Sequence, residues 1–111
     1  MQSIQFFKQL ADDTRLRCLL LIVQHKQLCV CELMRALELS QPKISRHLAQ
    51  LRAANIVACS RKGKWMYYSL HPELESWQTN IINTALHADQ SSLVENNVQL
   101  RHAQLEQICC T

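Results

Sequence analysis

The amino-acid sequence predicts a mainly α-helical domain carrying one small β-hairpin, and three observations lead there. Gly63 is the single glycine in 111 residues, so helix interiors are almost free of the residue that weakens them most after proline. Apolar residues recur at helical spacing through most of the chain. The exception is residues 55–70, NIVACS-RKGK-WMYYSL, where β-branched and aromatic residues flank that glycine. A chain of this length builds one core, not two. With 48% apolar and 19% charged residues it reads as globular rather than disordered. The opening MQSIQFFKQL lacks a secretory pattern, and no apolar run approaches the ~20 residues of a membrane span. A cytoplasmic protein without a membrane partner is expected, its six cysteines serving as free thiols or ligands rather than a disulfide framework.

The elements follow in order. The first helix covers residues 4–10, with Ile4, Phe7 and Ala11 on one face and Phe6 and Leu10 beside them. The second opens at the Asp12-Asp13-Thr14 cap signal, after which Leu16, Leu19, Leu20 and Val23 fall at i, i+3, i+4 and i+7. Two short helices come next, residues 29–37 and 41–53. Between them Ser40 offers an N-cap and Pro42 an early-turn proline, the layout of a helix-turn-helix. In the later helix Ile44, Leu48 and Leu51 form the buried stripe, leaving Gln41, Lys43, Ser45, Arg46, His47, Gln50 and Arg52 on the remaining surface. Hydrogen-bonding and cationic residues opposite a core stripe suit a helix lying in a DNA major groove, although ordinary surface helices share the pattern.

Gly63 stands where a tight hairpin needs positive φ, and Arg61, Lys62 and Lys64 crowd the tip. A basic hairpin after such a helix makes a winged helix-turn-helix, the wing meeting backbone phosphates. Lysines that merely keep an exposed hairpin soluble would look the same. His71-Pro72-Glu73 opens a further helix whose face of Leu74, Trp77, Ile81 and Ala85 is widened by Ile82 and Leu86. The surplus reads as a subunit interface shared with the first helix, giving a homodimer matched to a palindromic double-stranded site. Residues 1–90 are thus a DNA-binding and dimerisation domain. Residues 91–111 form a polar tail, partly helical or flexible, with helix continuing through Leu93, Val94 and Val98 and a frayed end at QICCT.

Charge agrees. The net charge is +3, from 12 Lys and Arg against 9 Asp and Glu, yet residues 39–72 hold no acid and six of the bases. An acid-free basic block inside a folded domain is an electrostatic footprint for a polyanion.

Four ordered blocks, LADDTRLR (10–17), LCVCEL (28–33), SQPKISRHLAQLR (40–52) and GKWMYYSL (63–70), together resemble the ArsR/SmtB family of small metal-responsive repressors, in its arsenic-responsive branch. The similarity runs over residues 6–86. It implies a dimeric ArsR-like winged helix, not an enzyme, that needs no cofactor to bind operator DNA. It also implies repression of arsenic-resistance genes until arsenite or antimonite, as inducer, binds cysteine thiolates. Cys29 and Cys31 match the family's pattern residue by residue. Its third cysteine, three positions on, is replaced by Met34, whose neutral thioether is a weaker donor and which also reads as ordinary packing.

Residues i and i+2 of a regular helix point roughly 200° apart, so Cys29 and Cys31 can share an ion only at an irregular first turn, with Cys29 at the cap. A helix N-terminus also favours the thiolate. The third ligand is left open between solvent, a small thiol, and Cys109 or Cys110 from the tail of either subunit; a separate tail site is a further alternative. Cys18 and Cys59 read as core residues, and His25 and His71 as helix-end residues. His87, Asp89 and His102 do not reproduce the spacing of the family's last-helix zinc site. Two other readings compete. The same fold with Cys29 and Cys31 as a cadmium, lead or zinc site or a redox switch keeps the DNA function. A thiol enzyme or metal sink leaves the basic helix and wing unexplained, and no nucleophile with an arranged base or phosphate-gripping glycine loop is present.

Overall fold

A computed structural model describes residues 1–106. Six α-helices and a three-stranded sheet appear among them: α1 (Gln2–Leu10), α2 (Asp13–His25), β1 (Leu28–Cys29), α3 (Val30–Leu37), α4 (Gln41–Ala53), β2 (Val57–Lys62), β3 (Trp65–Leu70), α5 (Ser76–Asp89) and α6 (Val94–Glu106), with a 3-10 turn at Gln90–Leu93 before the last helix. The architecture is a winged helix-turn-helix, mainly α with a small antiparallel sheet, as the sequence predicts.

The core is built around α2, where Cys18, Leu19, Leu20, Leu21 and Ile22 are all buried, so this helix has almost no solvent face along its middle. Leu33 and Ala36 of α3, Ile44, Leu48 and Leu51 of α4, and Ile56 and Val57 at the start of the sheet close around it. The predicted stripe of α4 is the buried one. On α1 the inward residue is Phe6, which meets the Trp77 ring edge-on at 5.2 Å, while Ile4 and Phe7 stay about half exposed.

Two boundaries differ from the sequence reading. Residue 29 is not helical: Leu28 and Cys29 pair with Tyr68 and Tyr67 of β3, so the sheet has a third strand in the order β1-β3-β2. Helix α5 begins at Ser76 rather than at His71-Pro72-Glu73. The His71 N–H is still tied to the Ile56 carbonyl at 2.9 Å, and Leu74 closes a turn on His71 before Glu75 and Gln78 form a reciprocal cap. The hairpin itself is as expected, its two-residue loop having positive φ at Gly63 (+63°).

Beyond residue 90 the chain turns back over the domain. Leu93, Leu100 and Ala103 are buried. Arg17 donates to the Ser92 carbonyl at 2.7 Å and to Asn96 Oδ1 at 3.0 Å, and Asn97 Nδ2 donates to Gln24 Oε1 at 3.0 Å. Asn96 Nδ2 reaches the Ala36 carbonyl at 3.0 Å, and Gln104 Nε2 reaches Glu32 Oε2 at 2.9 Å, so α6 lies along α3 and runs opposite to it.

Asp12 fastens the start of α2, its Oδ1 accepting the Arg15 N–H at 2.9 Å. That bond, helped by the nearby His47 and Arg15 charges, holds its carboxyl below the usual 3.8. A depressed carboxylate stabilises the fold above its unfolded value and loses that contribution as pH falls through its folded one. Asp12→Ala is expected to cost about 1 kcal/mol at neutral pH, the usual worth of an N-cap. Asp12→Asn should cost less, because an amide oxygen still caps. Denaturant unfolding should show the gap between wild type and Asp12→Asn narrowing below pH 3.8; a gap independent of pH would contradict this role.

Candidate functional site

The basic surface comes first. The exposed side of α4 presents Gln41, Lys43, Arg46, Gln50 and Arg52. Gln41 Nε2 donates to the half-buried Ser45 Oγ at 2.7 Å, ordering the first turn. Gln50 is held from behind by Arg15 Nη1. The same guanidinium donates to the carbonyls of Gln9 (2.6 Å) and Lys8 (3.2 Å), joining the end of α1 to the middle of α4. His47 is the exception in this row. Its side chain is only 18% exposed and its Nδ1 lies 3.9 Å from Asp12 Oδ1, so it faces the cap of α2 rather than standing out with Lys43 and Arg46.

Arg61, Lys62 and Lys64 are exposed at the wing tip. Arg61 Nε donates to the Gly63 carbonyl at 3.0 Å, curling over the turn. Lys62 Nζ donates to Gln27 Oε1 at 2.9 Å and lies 5.7 Å above the Tyr67 ring. One domain thus carries both a helix with an exposed polar and cationic side and a hairpin with a basic tip.

The thiols occupy the joint behind that surface. Cys29 is buried, extended (φ −91°, ψ 168°), and the N-cap of α3. Its N–H donates to Glu32 Oε1 at 3.0 Å while its sulfur accepts the Glu32 N–H, a reciprocal cap. Cys31 lies in the first turn and is half-buried. Strand-to-helix change between them removes the fixed opposition that a continuous helix would impose. Met34 sits one turn after Cys31, half-buried and packed on the core.

The other sulfurs are elsewhere. Cys18 lies fully inside α2, and burial, with a contribution from the Asp12 charge, pushes its thiol up to about 12, so it stays protonated. Cys59 pairs with Tyr68 across β2 and β3, whereas Cys29 pairs with Tyr67. Successive residues of β3 face opposite sides of the sheet, so Cys59 and Cys29 do too. Cys109 and Cys110 lie outside the described residues. Among the described residues no three His, Cys, Asp or Glu side chains converge as a metal site.

Three features escaped the sequence reading. Strand β1 makes Cys29 a ladder partner of the wing. Glu32 serves two elements, its Oε1 capping Cys29 and its Oε2 accepting from Gln104. Gln27 supports Lys62. Only the acidic residue three positions after Cys29 was available as a signal, in the manner of a capping box.

Comparison with known proteins is consistent in all three forms. Residues 12–58 match the model of the bacterial regulatory protein arsR family. The arsenic resistance transcriptional regulator ArsR1 of Pseudomonas putida is 55% identical over 94 residues, covering 85% of this chain and 73% of that protein. The arsenical resistance operon repressor of Escherichia coli is 47% identical over 90 residues, 81% of this chain and 77% of that one. Among solved structures, HlyU of Vibrio cholerae superposes with a TM-score of 0.70 at 28% identity over 78% of this chain and 90% of its own. The antimony-specific repressor AntR does so with 0.66 at 26%, over 81% and 78%. Among the described residues no helix is long and apolar enough to cross a membrane.

Exposure ranks the thiols. In reduced, folded protein, alkylation followed by peptide mapping is expected to modify Cys31 ahead of Cys29 and to leave Cys18 untouched until the chain unfolds. Labelling of Cys18 at the rate of Cys31 would mean that α2 is not the closed core described above.

Proposed function

Because the chain belongs to the arsR family of bacterial regulatory proteins, we propose that this repressor acts as a homodimer on arsenic-resistance genes and leaves its double-stranded operator when arsenite or antimonite binds Cys29 and Cys31. The observation that carries the reading is the place of Cys29, at once the last residue of β1, opposite Tyr67 of the wing strand, and the cap of α3, which packs against the recognition helix. An ion that draws Cys31 toward Cys29 must rotate the first turn of α3. That motion disturbs the support of α4 and the edge of the wing together. Soft thiolates suit a thiophilic ion, and an ion that prefers the rotated state shifts the population away from the DNA-competent one.

In this reading Lys43, Arg46 and Gln41 face base edges, Gln50 is oriented by Arg15, and Arg61, Lys62 and Lys64 meet phosphates. His47 acts through Asp12 on the seating of α4. The exposed Ile4 and Phe7 on α1 supply apolar surface for a second subunit.

Fluorescence anisotropy on the DNA upstream of the chain's own gene tests the proposal, with arsenite, cadmium, zinc or peroxide added to reduced protein. Arsenite is expected to release the DNA, and Cys29→Ser and Cys31→Ser each to abolish that release while retaining DNA binding. Release that survives both substitutions would place the sensor elsewhere.

Two further variants probe the DNA face without inducer. Lys62→Ala should weaken all duplexes alike and lower the salt slope by about one. Arg46→Ala should cost roughly 1–3 kcal/mol and relax sequence preference. A sequence-selective loss in Lys62→Ala, or unchanged binding in Arg46→Ala, would reverse these assignments.

A further inference from the structure

We propose that Glu32 is the positioning residue of the sensor and that α6 acts through it as a latch, holding the first turn of α3 in the DNA-competent arrangement until the inducer moves it. The role rests on the arsenite-sensing reading above, in which Cys29 and Cys31 grip the ion; Glu32 sets how much arsenite that grip needs.

Hydrogen bonds from two elements meet at Glu32. Its backbone N–H donates to the Cys29 sulfur, its Oε1 accepts the Cys29 N–H at 3.0 Å, and its Oε2 accepts Gln104 Nε2 at 2.9 Å. The first two hold Cys29 at the cap of α3. The third joins that cap to α6, 72 residues further along the chain. One carboxylate therefore touches a candidate sensing cysteine with one oxygen and α6 with the other.

The other end of α6 is braced against elements that do not have to move. Asn96 Nδ2 donates to the Ala36 carbonyl at the far end of α3 at 3.0 Å, and Arg17 of the core helix α2 donates to the Ser92 carbonyl at 2.7 Å and to Asn96 Oδ1 at 3.0 Å. Leu100 and Ala103, between Asn96 and Gln104, are buried. Gln104 is thus carried on a helix fixed from behind. Val30, Cys31 and Glu32 are the first three residues of α3, so a rotation that brings Cys31 toward Cys29 takes Glu32 with it. Glu32 cannot follow Cys31 and keep both its reciprocal bonds to Cys29 and its bond to a stationary Gln104.

A contact present in one state and absent from the other shifts the balance toward the first. The Gln104 bond belongs to the capped state, so it opposes the rotated state that the ion prefers. Gln104 is exposed and Glu32 half-buried. Their bond accordingly has the net worth of an ordinary hydrogen bond rather than that of a buried charge, and losing it changes the ratio of the two states roughly fivefold. The apparent affinity for the ion scales with the fraction of protein in the state that binds it, and moves by the same factor. Coupling of this kind is reciprocal, so a bound ion must in turn loosen the Gln104 end of α6.

The test uses the full reduced chain, following release from DNA by anisotropy as arsenite is added, and amide hydrogen exchange on DNA-free protein. Gln104→Ala leaves the Cys29 cap in place and is expected to bind DNA as wild type does without arsenite, but to release it at roughly fivefold less arsenite. Leu105→Ala, at the exposed neighbouring position, should release at the wild-type concentration. Amides of residues 100–104 should exchange faster in wild type once arsenite is bound, and should already exchange fast in Gln104→Ala without it. On a Glu32→Ala background Gln104→Ala should have no further effect. Half-release unchanged or raised in Gln104→Ala, lowered equally by Leu105→Ala, or lowered in full on the Glu32→Ala background would overturn the latch and leave arsenite sensing intact. Arsenite that never releases the wild-type protein from DNA would overturn the sensing reading, and the latch with it.

Discussion

Helix α3 has eight residues, too few to persist in water by its own hydrogen bonds. Its position is therefore set entirely by what touches it: the Cys29–Glu32 cap and β1 at its start, α4 on one side and α6 along its length. Each of these contacts also belongs to another working part. The cap contains a candidate sensing thiol, β1 is hydrogen-bonded to the wing strand, α4 presents the candidate base-reading surface, and α6 ties both ends of α3. A rigid, self-sufficient helix would isolate those parts from one another. A short one makes them share a single position.

Arg15 performs a comparable service between α1 and α4. Its guanidinium caps carbonyls at the end of α1 and grips Gln50 on the recognition helix. The outer face of α1 carries Ile4 and Phe7, so in the proposed homodimer subunit pairing and the seating of α4 meet at one side chain. Asp12, accepting the Arg15 N–H and facing His47, adds a second link at the same corner. The two recognition helices of a dimer need a fixed separation to match a palindromic site. A brace from the pairing helix to the reading helix is a direct way to set it.

The winged fold was legible because its signals are local and redundant. Ser40 and Pro42 mark the helix start, and Ile44, Leu48 and Leu51 mark its inner face. The one glycine falls at the one hairpin loop that has positive φ. The two-residue strand β1 was not legible. A pair of residues has no periodicity, and its existence depends on Tyr67 and Tyr68, some forty positions away. The same limit hid the docking of α6. Asn96, Asn97 and Gln104 look like solvent-facing residues in sequence, yet they satisfy partners on α2 and α3, so a helix with a weak apolar stripe is held partly by polar contacts. For the candidate site, Cys29 and Cys31 could be read from spacing and resemblance. Their division between strand and helix, which decides what they can do together, could not.

In the proposed function, that division is what separates a sensor from a store. Two thiols already aimed at one point would bind a soft ion tightly, but with equal ease whether or not α4 is seated on DNA. A ligand with no preference between two states shifts neither, however tightly it binds. Here Cys29 is extended and Cys31 is helical, so in the proposed sensor gripping one ion requires work on the turn between them. Part of the intrinsic affinity is spent on that work, and the amount spent sets the largest change in DNA affinity that binding can produce. A shift from mostly bound to mostly released needs roughly 10⁴-fold discrimination between states, or about 5.5 kcal/mol.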